Sequence, residues 1–442
     1  MQGGRGLFCF SAFADRKKVG DTREGKRKMK NPDRRQFIKA MGVAAGGLAA
    51  PTILNSRAVK AESTIPVGIL YSLTGTTAIV EKSMNQCALM AIAEINAKGG
   101  VLGKQLRPVI EDPASEPRTY SEKARKLTIE NEVPVIFGCY TTASRKAVLP
   151  VVERRNGLLV WPTWYEGEEC SKSVLYAGSA VPNQQLENSI PWLKNKLGKN
   201  KLFIVGSDYA FPRGMAKTSK TLCAKIGMQV VGDEYLPLGH TEWASMVAKI
   251  GSSGADVIFS NVVGDSIVAF YRELRNQGYD FEKLPLCSST TTEVEVRAMG
   301  PEYAKGSYVS LPYFQTVDTP QNKAFVKAFK EFAGADAVTH AAMEAVYTGV
   351  HMWAMAAEKA GDVSSKAVVG AAGGISFEAP QGKVTIDPQN LHSFLTPRIG
   401  KARSDGMFDI VDQYSEPLVP LPYSSVGETA DKRICKVSGA SL

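Results

Sequence analysis

Two clusters of hydroxyl and aromatic residues carry the chemistry in this chain. The first is Tyr140, Thr141 and Thr142; the second is Trp161, Thr163, Trp164 and Tyr165. Neither contains a histidine, and neither places a nucleophile beside a base. Groups of this kind donate and accept hydrogen bonds between broad aromatic faces, which suits a small, neutral, planar ligand better than bond cleavage. Aromatics near strand ends also form the rim of a core. Two such clusters at consecutive strand exits favour a site.

The elements that position them can be read from apolar spacing. Val133 to Phe137 is a short apolar run stopping at Gly138, as expected for a buried parallel strand. Ser144 to Arg155 has helical spacing, with Ala147, Val148, Val151 and Val152 on one side. Leu158 to Trp161 is the next strand. Ligands of open α/β sheets bind beyond the carboxyl ends of strands, which is where both clusters fall.

The same alternation runs through the chain. Strands are expected at Pro66–Tyr71 and Leu106–Ile110, with helices over 84–98 and 117–131. This β–α–β–α order calls for a parallel sheet. A second series begins after Pro182-Asn183-Gln184-Gln185. Its strand exits are Gly206-Ser207-Asp208-Tyr209, Asn261-Val262-Val263-Gly264-Asp265-Ser266 and Ser288-Ser289-Thr290-Thr291-Thr292. A long helix follows over 339–360, with a turn at Pro380-Gln381 and a hairpin signal at Asp405-Gly406. Two series of similar build imply two lobes facing a shared cleft.

The net charge of +9 misleads. Residues 1–61 hold 14 basic and 4 acidic residues, whereas the rest holds 39 and 40. The folded part is therefore near neutral, which excludes nucleic acid as a partner. The front segment reads as an export signal: Asp33-Arg34-Arg35-Gln36-Phe37-Ile38-Lys39 is a twin-arginine pattern, a mild apolar run covers Ala40 to Ala50, and Val59-Lys60-Ala61 offers a cleavage site. That pattern is complete from Met29, an alternative start to Met1. The apolar run is too short to span a bilayer, so membrane contact is expected only through a partner. Gly68 and Gly75 form no phosphate loop. The seven cysteines show no ligand spacing and the four histidines no cluster. No metal or cofactor is expected.

FGCYTTASRKAVLPVVE, WYEGEE, PNQQ, GSDYAFPR, EYLPLG, VVGDS, PYFQTVDTP and EAPQGKV together resemble the urea and short-chain amide binding proteins of ABC importers. The resemblance runs in order over roughly residues 64–422. It implies the type I periplasmic binding protein fold, an α/β architecture of two doubly wound lobes with three inter-lobe crossings. The implied domains are the export signal (1–61), a first lobe (62–182 plus about 314–385), a second lobe (183–313 plus about 386–425) and a tail (426–442). It also implies capture of urea or a short-chain amide for delivery to ABC permease and ATPase subunits, in the periplasm, without catalysis.

Carried over by position, the resemblance assigns Tyr140, Thr142, Trp161 and Thr163 to the ligand on the first lobe, to which the strand-exit reading adds Thr141 and Tyr165. It assigns Tyr209, Val262, Val263, Gly264, Asp265 and Thr291 on the second. Thr142 stands where the family usually has Ser, and Trp161 where it commonly has Tyr. VVGDS leans toward urea importers, SSTTTEVEV toward amide sensors. Two other readings compete. A cytoplasmic amide sensor controlling an amidase operon would share the pocket but lack the export signal. A cysteine amidohydrolase would need Cys139, Lys146 and Glu166 to converge.

Overall fold

The computed structural model describes residues 64–169 and 171–423, all within one compact unit, Val59–Leu442. The export-signal reading and the tail at 426–442 lie outside the described residues. The first sheet holds β1 (Ile65–Leu70), β2 (Leu106–Glu111), β3 (Val135–Gly138), β4 (Leu158–Val160) and β5 (Val174–Leu175), connected through α1 (Ala78–Ala97), α2 (Pro117–Arg125) and α3 (Thr142–Arg154). Its order is β2-β1-β3-β4-β5, all parallel.

These strands read as unbroken apolar runs because both faces are covered. Ile69, Phe137 and Val160 join one core with Met84 and Ala88 of α1. Leu70, Ile136 and Leu159, one residue away in each case, join a second core with Tyr120 of α2 and Val148 of α3. The start of α3 is fixed by a capping box: Thr141 Oγ1 accepts from Ser144 N at 3.1 Å, while Thr141 N donates to Ser144 Oγ at 3.1 Å. The helix expected over 117–131 is not uniform. It widens into a π turn over Lys126–Glu130, where Thr128 Oγ1 bonds back to the carbonyls of Ala124 (2.8 Å) and Arg125 (3.3 Å).

The chain then enters a second sheet through α4 (Leu186–Leu197), with β6 (Lys201–Ser207), α5 (Ala210–Ile226), β7 (Gln229–Leu236), α6 (Ala244–Ser252), β8 (Val257–Asn261), α7 (Asp265–Asn276), β9 (Leu286–Ser288), α8 (Glu293–Met299), α9 (Pro301–Ala304) and β10 (Tyr308–Leu311). It returns for α10 (Pro320–Ala333), α11 (Ala341–Ala360), α12 (Ser365–Ala372) and a small antiparallel sheet of β11 (Ser376–Ala379), β12 (Gly382–Ile386) and β13 (Ser393–Phe394). The hairpin of β14 (Arg398–Ala402) and β15 (Phe408–Gln413), turning at Asp405-Gly406, completes the second sheet in the order β15-β14-β10-β9-β8-β6-β7.

One boundary moves. Residues 386–394, expected in the second lobe, stay with the first sheet. Tyr176 bridges His392 and donates its N–H to Leu391 O at 3.0 Å. The last crossing therefore falls near 395–398. All three crossings are tied to their surroundings. Gln185 Nε2 donates to the carbonyls of Ser289 and Ser310, both at 2.7 Å. Gln184 Nε2 reaches Ser393 O and Leu418 O, both at 2.9 Å. Arg398 donates to the carbonyls of Pro312 and Gln381.

Beneath the β1 exit, Glu81 is fully buried and accepts from Ser72 N (2.8 Å), Thr77 Oγ1 (2.5 Å) and Tyr120 Oη. Burial raises its pKa from 4.5 to about 7, against the lowering effect of those bonds. Burial likewise raises Glu295 and Glu344 to about 7 and Glu293 to about 8. A carboxyl raised in the folded state contributes stability in full below its ordinary value, and loses it as pH rises through the folded value. Unfolding by guanidinium is therefore expected at a lower midpoint at pH 8 than at pH 5, and Glu81→Gln should flatten part of that slope. Equal midpoints would refute the assignment.

Candidate functional site

The strand exits of the two sheets meet. In each sheet the order reverses beside the first strand of the series, between β1 and β3 and between β6 and β8. That switch point opens a crevice past the strand ends. Eight residues line a small cavity there: Tyr140 and Thr142 after β3, Thr163 and Trp164 after β4, Tyr209 and Phe211 after β6, Val263 after β8 and Thr290 after β9. As room for a water's centre the cavity is about 10 Å³, the space of one water molecule. No lining side chain is charged.

Of the residues expected from the sequence, Tyr140, Thr142, Thr163, Tyr209 and Val263 are brought together here. The others are placed elsewhere, each for a physical reason. Thr141 is spent on capping α3. Trp161 and Tyr165 belong to the core behind the first sheet, where they cover the two faces of Arg145 at 4.6 and 4.4 Å. Val262 contributes its carbonyl to Thr290 rather than its side chain to the cavity. Gly264 and Asp265 contact the first lobe instead. Thr291 turns inward to Ser288 Oγ (2.9 Å) and Tyr271 Oη (3.1 Å), so its neighbour Thr290 takes the place expected of it. Sequence reasoning did not assign Phe211 or Thr290 to the site, and it named Trp164 only as part of its exit cluster. Trp164 and Thr290 sat inside runs already singled out, and only the side each residue faces distinguishes them from Trp161 and Thr291.

The polar groups of the lining are hydroxyls. Burial raises the phenol pKa of Tyr140 and Tyr209 well above 10, so both keep their protons and can donate. Thr163 Oγ1 is buried with no hydrogen-bond partner among the described residues. The ring of Tyr140 meets that of Trp164 edge-on at 6.5 Å. Charges are held outside the cavity. Arg145 is fully buried; its Nε donates to Glu169 Oε1 at 2.7 Å and its Nη2 lies 3.9 Å from Glu166 Oε1. Cys139 does not line the cavity. Its thiol is buried in the core behind the first sheet, and burial drives its pKa well up. Lys146 faces Glu166 at 3.9 Å. The Cys–Lys–Glu arrangement of an amidohydrolase is therefore not supported: a buried thiol held protonated is a poor nucleophile.

The lobes close directly on one another. Asp265 N donates to Thr76 O at 3.1 Å, and Lys217 pairs with Glu168 at 2.9 Å. Two glycines permit this approach. A Cβ on Gly214 would stand 2.5 Å from the Glu166 side chain. A Cβ on Gly264, whose φ is +71°, would stand 2.7 Å from Thr76 O. Gly264→Ala is expected to cost the closed form roughly 1–3 kcal/mol through strain and backbone contact. Hydrogen exchange at the Asp265 amide should accelerate accordingly; a wild-type rate would show that closure does not depend on this glycine.

Comparison with known proteins agrees with this architecture. Residues 65–429 match the periplasmic binding protein domain family. The chain is 23% identical over 329 residues to the leucine-, isoleucine-, valine-, threonine- and alanine-binding protein of Pseudomonas aeruginosa, covering 74% of this chain and 87% of that one. A solute-binding protein of an ABC transporter from R. palustris, solved with 4-hydroxybenzoate, superposes with a TM-score of 0.72 at 22% identity, covering 80% of this chain and 98% of that one. The branched-chain amino acid transporter substrate-binding protein of Streptococcus pneumoniae, solved with isoleucine, gives 0.67 at 21% identity, covering 80% and 99%. Two sheets whose strand exits face one another, the second carrying an antiparallel hairpin at one edge, with a family match over nearly the whole described chain, place this protein in the periplasmic binding protein domain family, with the type I fold.

Proposed function

We propose that this chain is an extracytoplasmic solute-binding protein that encloses urea or a short-chain aliphatic amide between its lobes and delivers it to the permease and ATPase subunits of an ABC importer. The observation that carries the reading is the cavity itself: small, between the two lobes, and lined by hydroxyls and aromatic faces with no charge. An amino acid brings a carboxylate and an ammonium, and a benzoate a carboxylate. A site for either must supply a partner for that charge. Both are also larger than a neutral ligand of four heavy atoms, for which a cavity with the space of one water has least to widen.

The energetics fit the geometry. At a ceiling of about −1.5 kcal/mol per heavy atom, such a ligand gains roughly −6 kcal/mol, or a dissociation constant of some tens of micromolar. Approaching that ceiling requires a partner for nearly every N–H and for the carbonyl oxygen. Closure of two lobes supplies this enclosure and couples occupancy to shape, so the ligand acts by shifting the open–closed population. The twin-arginine pattern favours export over the role of a cytoplasmic amide sensor.

Titration calorimetry with urea, formamide, acetamide and leucine, alongside an ammonia assay, tests this reading. Saturable binding of urea or an amide, no heat with leucine and no ammonia are expected. Tyr140→Ala and Tyr209→Ala should each weaken binding at least tenfold without unfolding the domain. Wild-type affinity in both variants would discard the cavity as the binding site, and ammonia release would mean an enzyme.

A further inference from the structure

The hydrogen bonds around the cavity fix which way its threonine hydroxyls face. Thr142 Oγ1 donates its only proton to Glu166 Oε2 at 2.7 Å and takes a long contact from Arg145 Nη1 at 3.4 Å. Thr290 Oγ1 donates its only proton to Val262 O at 2.6 Å and lies 3.1 Å from Ser288 Oγ. With its proton on Val262 O, Thr290 can only accept in its contact with Ser288 Oγ. Each threonine has thus spent its proton and one lone pair. One lone pair remains. On residues that line the cavity, that lone pair can only accept.

One of these threonines belongs to the first sheet's exits and the other to the second's. We propose that Glu166, which lies outside the cavity, is a positioning residue: by holding the proton of Thr142 it makes that hydroxyl an acceptor, so that with Thr290 each lobe requires an N–H from the ligand. The inference rests on the solute-binding reading above and deepens it. The ligand class is a carbonyl carrying an amino group on each side. Its oxygen is met by the donors Tyr140, Tyr209 and Thr163. An amide with one amino group leaves one buried lone pair unpaired.

Glu166 suits this role because its other oxygen is held by cations. Oε1 lies 3.9 Å from both Arg145 Nη2 and Lys146 Nζ. In Glu166→Gln the amide oxygen is drawn toward those two cations, which leaves the NH₂ facing Thr142. The threonine then becomes the acceptor for glutamine, and its proton turns toward the cavity. The substitution keeps size and shape and, without touching the ligand, reverses the polarity of a hydroxyl that the ligand meets.

Urea and acetamide separate these ideas, since both are planar with four heavy atoms and differ by one NH₂ for CH₃. Calorimetry on the wild-type protein should give urea at least tenfold tighter than acetamide. In Glu166→Gln that ratio should fall below threefold, mainly through weaker urea binding. A merely structural defect would weaken both ligands alike and leave the ratio intact. Should Glu166→Gln fail to fold, Thr290→Val replaces the second acceptor by a methyl group. It should cost urea at least tenfold and leave acetamide within threefold. Equal wild-type affinities would overturn the two-acceptor site while keeping the neutral-ligand reading. A ratio that survives both substitutions would overturn the positioning roles. Failure of the wild-type protein to bind either ligand would instead remove the functional reading on which this inference stands.

Discussion

The first lobe's half of the cavity is built around one buried cation. Arg145 has no exposed surface, and a guanidinium taken out of water must recover that loss from partners. It does so from four sides: Trp161 and Tyr165 over its faces, Glu169 on Nε and Glu166 near Nη2. Arginine's planar, delocalised charge tolerates this sandwich as lysine's would not. The same arrangement brings Glu166 to Thr142, and Glu166 in turn packs against Gly214 of the second lobe. Removing one partner would leave the remaining charges buried and uncompensated, at a cost of about 3–5 kcal/mol.

Holding ions behind the wall rather than in it has a consequence for the ligand. A charge in the lining would attract ions and zwitterions. A charge that acts through a hydroxyl only orients the hydroxyl. The cavity therefore stays neutral while its hydrogen-bond directions remain defined. That combination matters for a ligand with few atoms, where each unmet N–H forfeits a large share of the affinity. Closure completes it, because Thr142 and Thr163 come from one sheet's exits and Tyr209, Val263 and Thr290 from the other's. Contacts such as Asp265 N to Thr76 O form only when the exits are brought together.

Much of this was legible in the chain itself. The strands around Ile69, Phe137, Leu159 and Phe203 are short apolar runs that stop at small or hydroxyl residues, so their exits could be found by inspection. The Asp405-Gly406 turn was equally local, whereas Thr141, expected at the ligand, caps α3 instead. What could not be read was the direction each exit residue faces. Trp161 and Trp164 are the same residue type three positions apart, yet one covers Arg145 and the other lines the cavity. Thr290 and Thr291 are adjacent and identical, and the loop after β9 sends one hydroxyl to Val262 O beside the cavity and the other to Tyr271. The lobe boundary near residue 386 was misplaced because β13 is only two residues long and the tie to the first sheet is a single bridge from the preceding His392 to Tyr176, more than 200 positions away. Such pairings leave no local pattern.

The fold does not choose the ligand; side chains at strand exits do. Relatives named for amino acids and benzoate-type acids share this scaffold at 22–23% identity, an identity at which the backbone persists while exit residues are free to change. Placing a cation in the wall would convert such a cleft to carboxylates. Withdrawing it behind Thr142, as Arg145 and Glu166 do here, leaves a wall that rewards N–H donors instead. Because Glu166 also meets the opposite lobe at Gly214, the group that orients the hydroxyl is itself set in place by closure. Recognition of the ligand's N–H and the approach of the lobes are then one event, and a ligand that cannot satisfy Thr142 has less to gain from the closed form.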